Sequence, residues 1–228
     1  MTRTHYDVEL ETLRHLLLKM GSQVDEMVGE AMDSLTQQDV PLAEAVMRAD
    51  DSVDDLDIQI ESQCMRLIAL QQPMARDLRL IGTAMKVITD LERIGDHAVD
   101  IAKVARKLAR DSFYKPLVDL PRMSTMVRSM LHDALAAFVT HDLGLVERVV
   151  VADDEVDHLF HQVRSELHTA MERSSNLVVQ ASYLLFVAHY LERIADHTVN
   201  IAERVYYVET SSLAQLAKSH KSHGETAA

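Results

Sequence analysis

The chain has 228 residues, with 23 basic and 36 acidic side chains and a formal net charge of −13. An acidic surface without a basic stripe has nothing with which to displace counterions from a phosphate backbone, which excludes direct binding of DNA or RNA. Six glycines, four prolines and 4% aromatic residues are too few for the closely spaced turns and β-rich segments of an all-β chain. An all-α protein is expected. No apolar run approaches the ~18 residues of a membrane span. The single cysteine, Cys64, cannot close an internal disulfide, and Met1-Thr-Arg-Thr-His-Tyr-Asp7 carries no apolar signal segment. Together these give a cytoplasmic location as the expectation. Cys64 lies among Gln63, Met65 and Leu67 and reads as an inert helical thiol.

The prolines mark the joints between helices. A first helix is expected over 4–37, and Asp39-Val-Pro41 starts a second over 41–71, with Asp39 near the N-cap and Pro41 in the first turn. Gln72-Pro73 ends it, because a proline disfavours helical geometry at the residue before it. A third helix covers 75–110, and the stretch from Asp111 to Pro121 is the longest break. Three more helices follow at 121–140, 144–173 and 177–209, separated by His141-Asp-Leu-Gly144 and Ser174-Ser-Asn176. Residues 210–228 read as a flexible polar tail.

The third helix carries a regular apolar seam, Leu80, Ala84, Val87, Leu91, Ile94, Ala98, Ile101, Ala105 and Leu108, spaced alternately by four and three. One hundred positions later the sixth helix repeats it as Leu184, Val187, Leu191, Ile194, Thr198, Ile201, Val205 and Val208. Leu91-Glu-Arg-Ile-Gly-Asp-His97 is matched by Leu191-Glu-Arg-Ile-Ala-Asp-His197, and Val46 to Asp54 by Val149 to Asp157. The chain is a tandem duplication. Helices of ~30 residues are ~45 Å long, a length that suits bundles. The expected architecture is a tandem repeat of two antiparallel three-helix bundles, residues 4–110 and 115–209.

On the third helix, Glu92, Asp96 and Asp100 fall at heptad positions b, f and c, away from the seam, and Glu192, Asp196 and Asn200 take those places on the sixth. Asp50 and Asp54 lie one turn apart on the second helix, as Asp153 and Asp157 do on the fifth. Like charges four apart mildly destabilise a helix, and a hard cation held by several oxygens offsets that repulsion. The alternative is a bundle surface of merely solvated acids. His97 and His197, at g, either join such a metal site or pack beside the seam. Arg93 and Arg193 read as surface partners of the acids beside them, and most of the twelve methionines as flexible filling of interior or surface-gap positions. No Gly-rich phosphate loop, Gly-x-Ser-x-Gly or His-Glu-x-x-His is present. Of the two Glu-x-x-His pairs a di-iron bundle needs, the chain offers only Glu155-Val-Asp-His158. A metal-dependent hydrolase and a metal-free scaffold are the competing classes.

Gln71-Gln-Pro-Met-Ala-Arg-Asp-Leu-Arg79, followed by Asp90-Leu-Glu-Arg-Ile-Gly-Asp-His97 and its second copy ending at His197, resembles the PhoU family of phosphate-transport regulators. The resemblance runs from about residue 4 to 209. It implies two three-helix bundles whose Glu/Asp-x-x-x-Asp motifs hold iron, zinc, manganese, magnesium or another divalent or trivalent cation. Carried onto this chain, the ligands are Asp50, Asp54, Glu92 and Asp96, then Asp153, Asp157, Glu192 and Asp196, with Asp100 an extra in the first half that Asn200 does not match. The Pro-x-Ala-x-Asp-Leu-Arg segment also lacks a second copy. The implied role is a cytoplasmic, non-enzymatic negative regulator of the phosphate-starvation response. It acts between the ATPase subunit of a phosphate ABC importer and a phosphate-sensor histidine kinase. Such a protein meets the membrane only through its partners, and a homodimer is the expected assembly.

Overall fold

The computed structural model describes residues 3–71 and 73–216, so residues 217–228 of the expected tail lie outside the described residues. Among the described residues there are six α-helices and no strand: α1 (Arg3–Gln37), α2 (Val40–Gln71), α3 (Ala75–Leu108), α4 (Asp119–Thr140), α5 (Leu143–Arg173) and α6 (Val178–Thr210). Among the described residues no helix is long and apolar enough to cross a membrane. Helices α1 to α3 pack on one another as one three-helix bundle, and α4 to α6 as a second.

The joints follow the local chemistry. Asp39 caps α2 by accepting from the Leu42 amide at 3.0 Å, and Asp142 caps α5 through the Gly144 amide at 2.8 Å. Gln38, His141 and Ser211 end α1, α4 and α6 in the left-handed region, with φ of 55°, 61° and 62°. The Gln38 side chain then donates to the carbonyls of Leu108 at 2.9 Å and Asp111 at 2.7 Å, tying the α1–α2 turn to the end of α3. Helix α4 begins at Asp119, two residues earlier than expected, because a first helical turn tolerates Pro121, whose missing N–H has no partner there. A single 3-10 turn, Ser175–Leu177, precedes α6.

Every residue of the two apolar seams is buried. A third column is buried beside each: Ile81, Ile88 and Ala102, with Gly95 in register, on α3, and Ala181, Ala188, Ala195 and Ala202 on α6. An added Cβ at Gly95 would face Asp50, Val53 and Met27, so this column points into its own bundle.

The two bundles meet through α1 against α4 and α3 against α6. Helices α3 and α6 run antiparallel, since Arg76 reaches Glu209 while Asp90 reaches His197. Helix α1 approaches α4 closely at two glycines. A Cβ on Gly21 would stand 2.4 Å from Leu135 Cδ1, and one on Gly29 2.8 Å from the Arg128 guanidinium. Arg128 in turn makes a two-point pair with Asp25, at 2.9 and 2.8 Å.

Candidate functional site

Helices α2 and α3 form a groove in the first bundle. Asp54, Asp57, Ile58, Thr89 and Glu92 line a cavity of about 340 Å³ there. Asp50 stands one turn before Asp54 on α2, and Asp96 one turn after Glu92 on α3, so the four expected acids share this face. Their proximity is reflected in the direction in which their carboxyls shift. Burial first, and then the carboxylates of Asp54, Asp96 and Asp51, push the Asp50 carboxyl above its ordinary value against the pull of Lys103. Glu92 is raised by burial and by Asp96, Asp54 and Asp57, with Arg93 opposing. Asp57, which the acid-x-x-x-Asp pattern misses, is raised by burial, Glu61 and Asp54. Its only sequence signal is its place three residues after Asp54, on the same helical face.

Basic side chains partly neutralise this face. Arg93 donates to Asp96 Oδ2 at 3.0 Å and lies 3.4 Å from Glu92 Oε2. Asp100 pairs with Lys103 at 2.9 Å.

The second bundle repeats the arrangement with different neighbours. Glu192 is raised by burial, Asp196 and Asp157, against His189 and Arg193. Arg193 donates to Asp196 at 2.6 Å. Glu192 Oε2 is buried without a hydrogen-bond partner, and His189 Nδ1 stands 3.2 Å from it outside hydrogen-bond geometry. Asp153 is only 3% exposed, whereas its counterpart Asp50 is half-buried. Where the first half has Asp57 and Thr89 in the groove and Glu61 one turn beyond Asp57, the duplication places Phe160, His189 and Arg164. The Arg164 guanidinium lies 5.8 Å over the Phe160 ring, and His189 is 6.3 Å from it. Asp153, and to a lesser degree Asp50, Glu92 and Glu192, are therefore more covered than heptad position predicts, because the flank of a neighbouring helix shelters them, while Asp54 stays exposed.

The donor chemistry of the first groove, carboxylates alone, suits a hard cation. Among the described residues, however, no three His, Cys, Asp or Glu side chains are gathered closely enough to enclose an ion as they stand.

The histidines lie elsewhere, on the junction of the two bundles. His197 Nδ1 is 2.9 Å from Asp90 Oδ1, and Asn200 donates to the same oxygen at 3.1 Å. The His97 ring is 5.7 Å from the His197 ring and stacks at 5.7 Å on Tyr190. Burial, and then His197, lower His97 to about 4. Asp90 and Tyr190 are equivalent positions in the two copies, so a pseudo-two-fold axis relates the two sides of this contact.

A model of the PhoU domain matches residues 17–105 and again 120–205. The chain belongs to the PhoU family. The "Phosphate-specific transport system accessory protein PhoU homolog" of Clostridium acetobutylicum is 40% identical over 217 residues, covering 95% of this chain and 99% of its own. A protein of the same name from Aquifex aeolicus is 40% identical over 185 residues, or 81% and 84% of the two chains. The crystal structure of PhoU from Pseudomonas aeruginosa superposes with a TM-score of 0.88 at 34% identity, over 91% of this chain and 100% of that one. That of the phosphate transport system regulatory protein PhoU from Streptococcus pneumoniae gives 0.85 at 31%, over 92% and 99%. The Clostridium and Aquifex relatives are named as accessory proteins and the Streptococcus one as a regulatory protein.

Proposed function

We propose that this protein is a cytoplasmic, non-enzymatic regulator of phosphate uptake that restrains the phosphate-starvation response. It would couple the ATPase subunit of a phosphate importer to a sensor histidine kinase, and it would act as a homodimer. The observation that carries the reading is family membership over both halves, among relatives named as phosphate-transport accessory proteins. Long helical bundles supply extended faces for partners.

Cations belong to the proposal. Asp50, Asp54, Glu92 and Asp96, with Asp57 and Asp100 at the margins, would hold one in the first half. Asp153, Asp157, Glu192 and Asp196 would hold one in the second. Iron, zinc, manganese or magnesium would supply positive charge that changes which partner the acidic face can approach. The ion pairs Arg93–Asp96 and Arg193–Asp196 favour a second reading, a metal-free scaffold in which arginines balance the acids.

One experiment tests the function. Deletion in a cell without a second homologue should leave a phosphate-starvation reporter active in phosphate-rich medium, and the wild-type gene should silence it. Normal repression in the deletion strain overturns the assignment. Failure of a folded variant with Glu92→Gln, Asp96→Asn, Glu192→Gln and Asp196→Asn to complement supports the cation reading, while full complementation favours the scaffold.

A further inference from the structure

The duplication does more than copy a helix seam. By docking α3 antiparallel on α6, it brings together two histidines encoded one hundred positions apart, one from each repeat. Neither half contains this pair alone.

We propose that His97 and His197 form a binding site for a borderline divalent transition-metal ion, with zinc, nickel and copper as the fitting class, at the junction of the two bundles. Its ligands are none of the groove carboxylates.

Three observations carry the proposal. The first is the Asp90–His197 contact, 2.9 Å at Nδ1, with both side chains about 15% exposed (15% and 14%). A carboxylate on Nδ1 fixes the proton there and leaves the Nε2 lone pair as the ligating nitrogen, an arrangement that recurs behind metal-bound histidines. Asn200 Nδ2 holds the same carboxylate oxygen at 3.1 Å, so the orienting group is itself fixed. The second is His97 Nδ1, which is buried and has no hydrogen-bond partner. A metal ion would satisfy that nitrogen, and the neighbouring Tyr190 ring stacks on the imidazole face without offering it a hydrogen bond.

The third is distance. An imidazole nitrogen lies ~2.0–2.1 Å from zinc, which puts each ring centre ~3.2 Å from the ion and two ring centres ~5.2–5.7 Å apart at tetrahedral or slightly opened angles. The two centroids are 5.7 Å apart. Two imidazoles meet here, and water would complete the shell. The charges around His97 are mixed: Asp100 and Asp96 favour a cation and Arg193 opposes one. Imidazole donors select against magnesium and calcium, which take oxygen ligands. Bound at this place, an ion would fasten α3 to α6 and so hold the two repeats in one relative arrangement.

The test is a zinc titration of the full chain followed by the imidazole nitrogen resonances of its histidines. The expected result is that the first equivalent moves both His97 and His197. It should still do so in the folded Glu92→Gln, Asp96→Asn, Glu192→Gln, Asp196→Asn variant, with at most a severalfold loss of affinity from removing the Asp96 charge beside His97, which separates this site from the carboxylate proposal. His97→Gln and His197→Gln should each weaken that binding at least tenfold, and Asp90→Asn about tenfold through loss of the orienting carboxylate. Far-UV circular dichroism establishes that each variant is folded, and if one is not, the wild-type resonances decide alone. Zinc that leaves both imidazoles unmoved, or shifts only other histidines, overturns the proposal, as does unchanged affinity in the folded His97→Gln and His197→Gln variants.

Discussion

Arg76 Nη2 at the start of α3 lies 2.8 and 3.0 Å from the two carboxylate oxygens of Glu209 at the end of α6. The same Glu209 stands 2.9 Å from His141 Nδ1 in the α4–α5 turn, and Arg79 Nε donates to the Val208 carbonyl at 3.4 Å. The segment Pro73-Met-Ala-Arg-Asp-Leu-Arg79 therefore clamps the first repeat to the second. The segment has no second copy, so the equivalent end of the junction, at the start of α6, carries Asn176 and Val179 in place of these arginines. Glu209 is mostly buried while Arg76 is half exposed, so the pair contributes modestly. Arg76→Met or Glu209→Gln should each cost about 1 kcal/mol, with the double variant costing less than their sum, read from urea midpoints.

Two helical glycines should respond to alanine in opposite directions. At Gly95 the nearest atoms to an added Cβ are 3.6 Å away or more, and the second repeat already has Ala195 there. Gly95→Ala should raise the melting temperature, with about 0.5–1 kcal/mol from reduced chain entropy. Gly21→Ala drives a Cβ to 2.4 Å from Leu135 Cδ1, an overpacking cost of about 1–3 kcal/mol that exceeds the helix gain. That variant should melt below the parent.

Core truncations should cost alike in the two halves. Leu91 and Leu191 are both fully buried at the same seam position. Leu91→Ala and Leu191→Ala should each lose about 2–5 kcal/mol, while Phe186→Ala on the exposed face of α6 should lose under about 1 kcal/mol. Chemical denaturation of the three variants checks this.

The raised carboxyls of Glu92 and Glu192 bind protons more tightly in the folded than in the unfolded chain. Their contribution to stability is present below the ordinary glutamate range and is lost as pH rises through the folded value. Without added metal, Glu92→Gln and Glu192→Gln should therefore stabilise the protein at pH 7 and weaken its decline from acid to neutral pH. A cation held as proposed would act in the same direction on the wild type, raising stability by about 2.7 kcal/mol at a hundred times its dissociation constant. That gain should vanish with a chelator. Thermal melts at several pH values, with and without metal, measure both effects.

Burial, and then the charge of Glu61, push the Cys64 thiol up to about 12, and the side chain is fully enclosed. The thiolate is the reactive species. Native protein at pH 8 should not react with a thiol-specific disulfide reagent, and one equivalent should react once urea unfolds the chain. Rapid labelling of the folded protein would contradict this packing of α2.

The fold was legible in the sequence because its determinants are local and periodic. Leu80 to Leu108 and Leu184 to Val208 announce a buried helical stripe by their three-and-four spacing, the prolines and capping aspartates mark where helices stop, and the offset of one hundred shows the duplication. The carboxylates that share a groove could also be named, since residues four apart must share a face. What tertiary structure decided is which face meets which. Asp90, His97 and His197 stand at positions indistinguishable by period from a solvated flank, and only the antiparallel docking of α3 on α6 turns them into a half-buried junction. The same holds for Asp153, enclosed where its copy Asp50 is half open, and for the groove that carries Asp57 in one half and Phe160 in the other. Helical period fixes the direction of a side chain around its own axis. The partner it finds depends on the packing of a second helix far away in the chain, and no spacing within one helix carries that information.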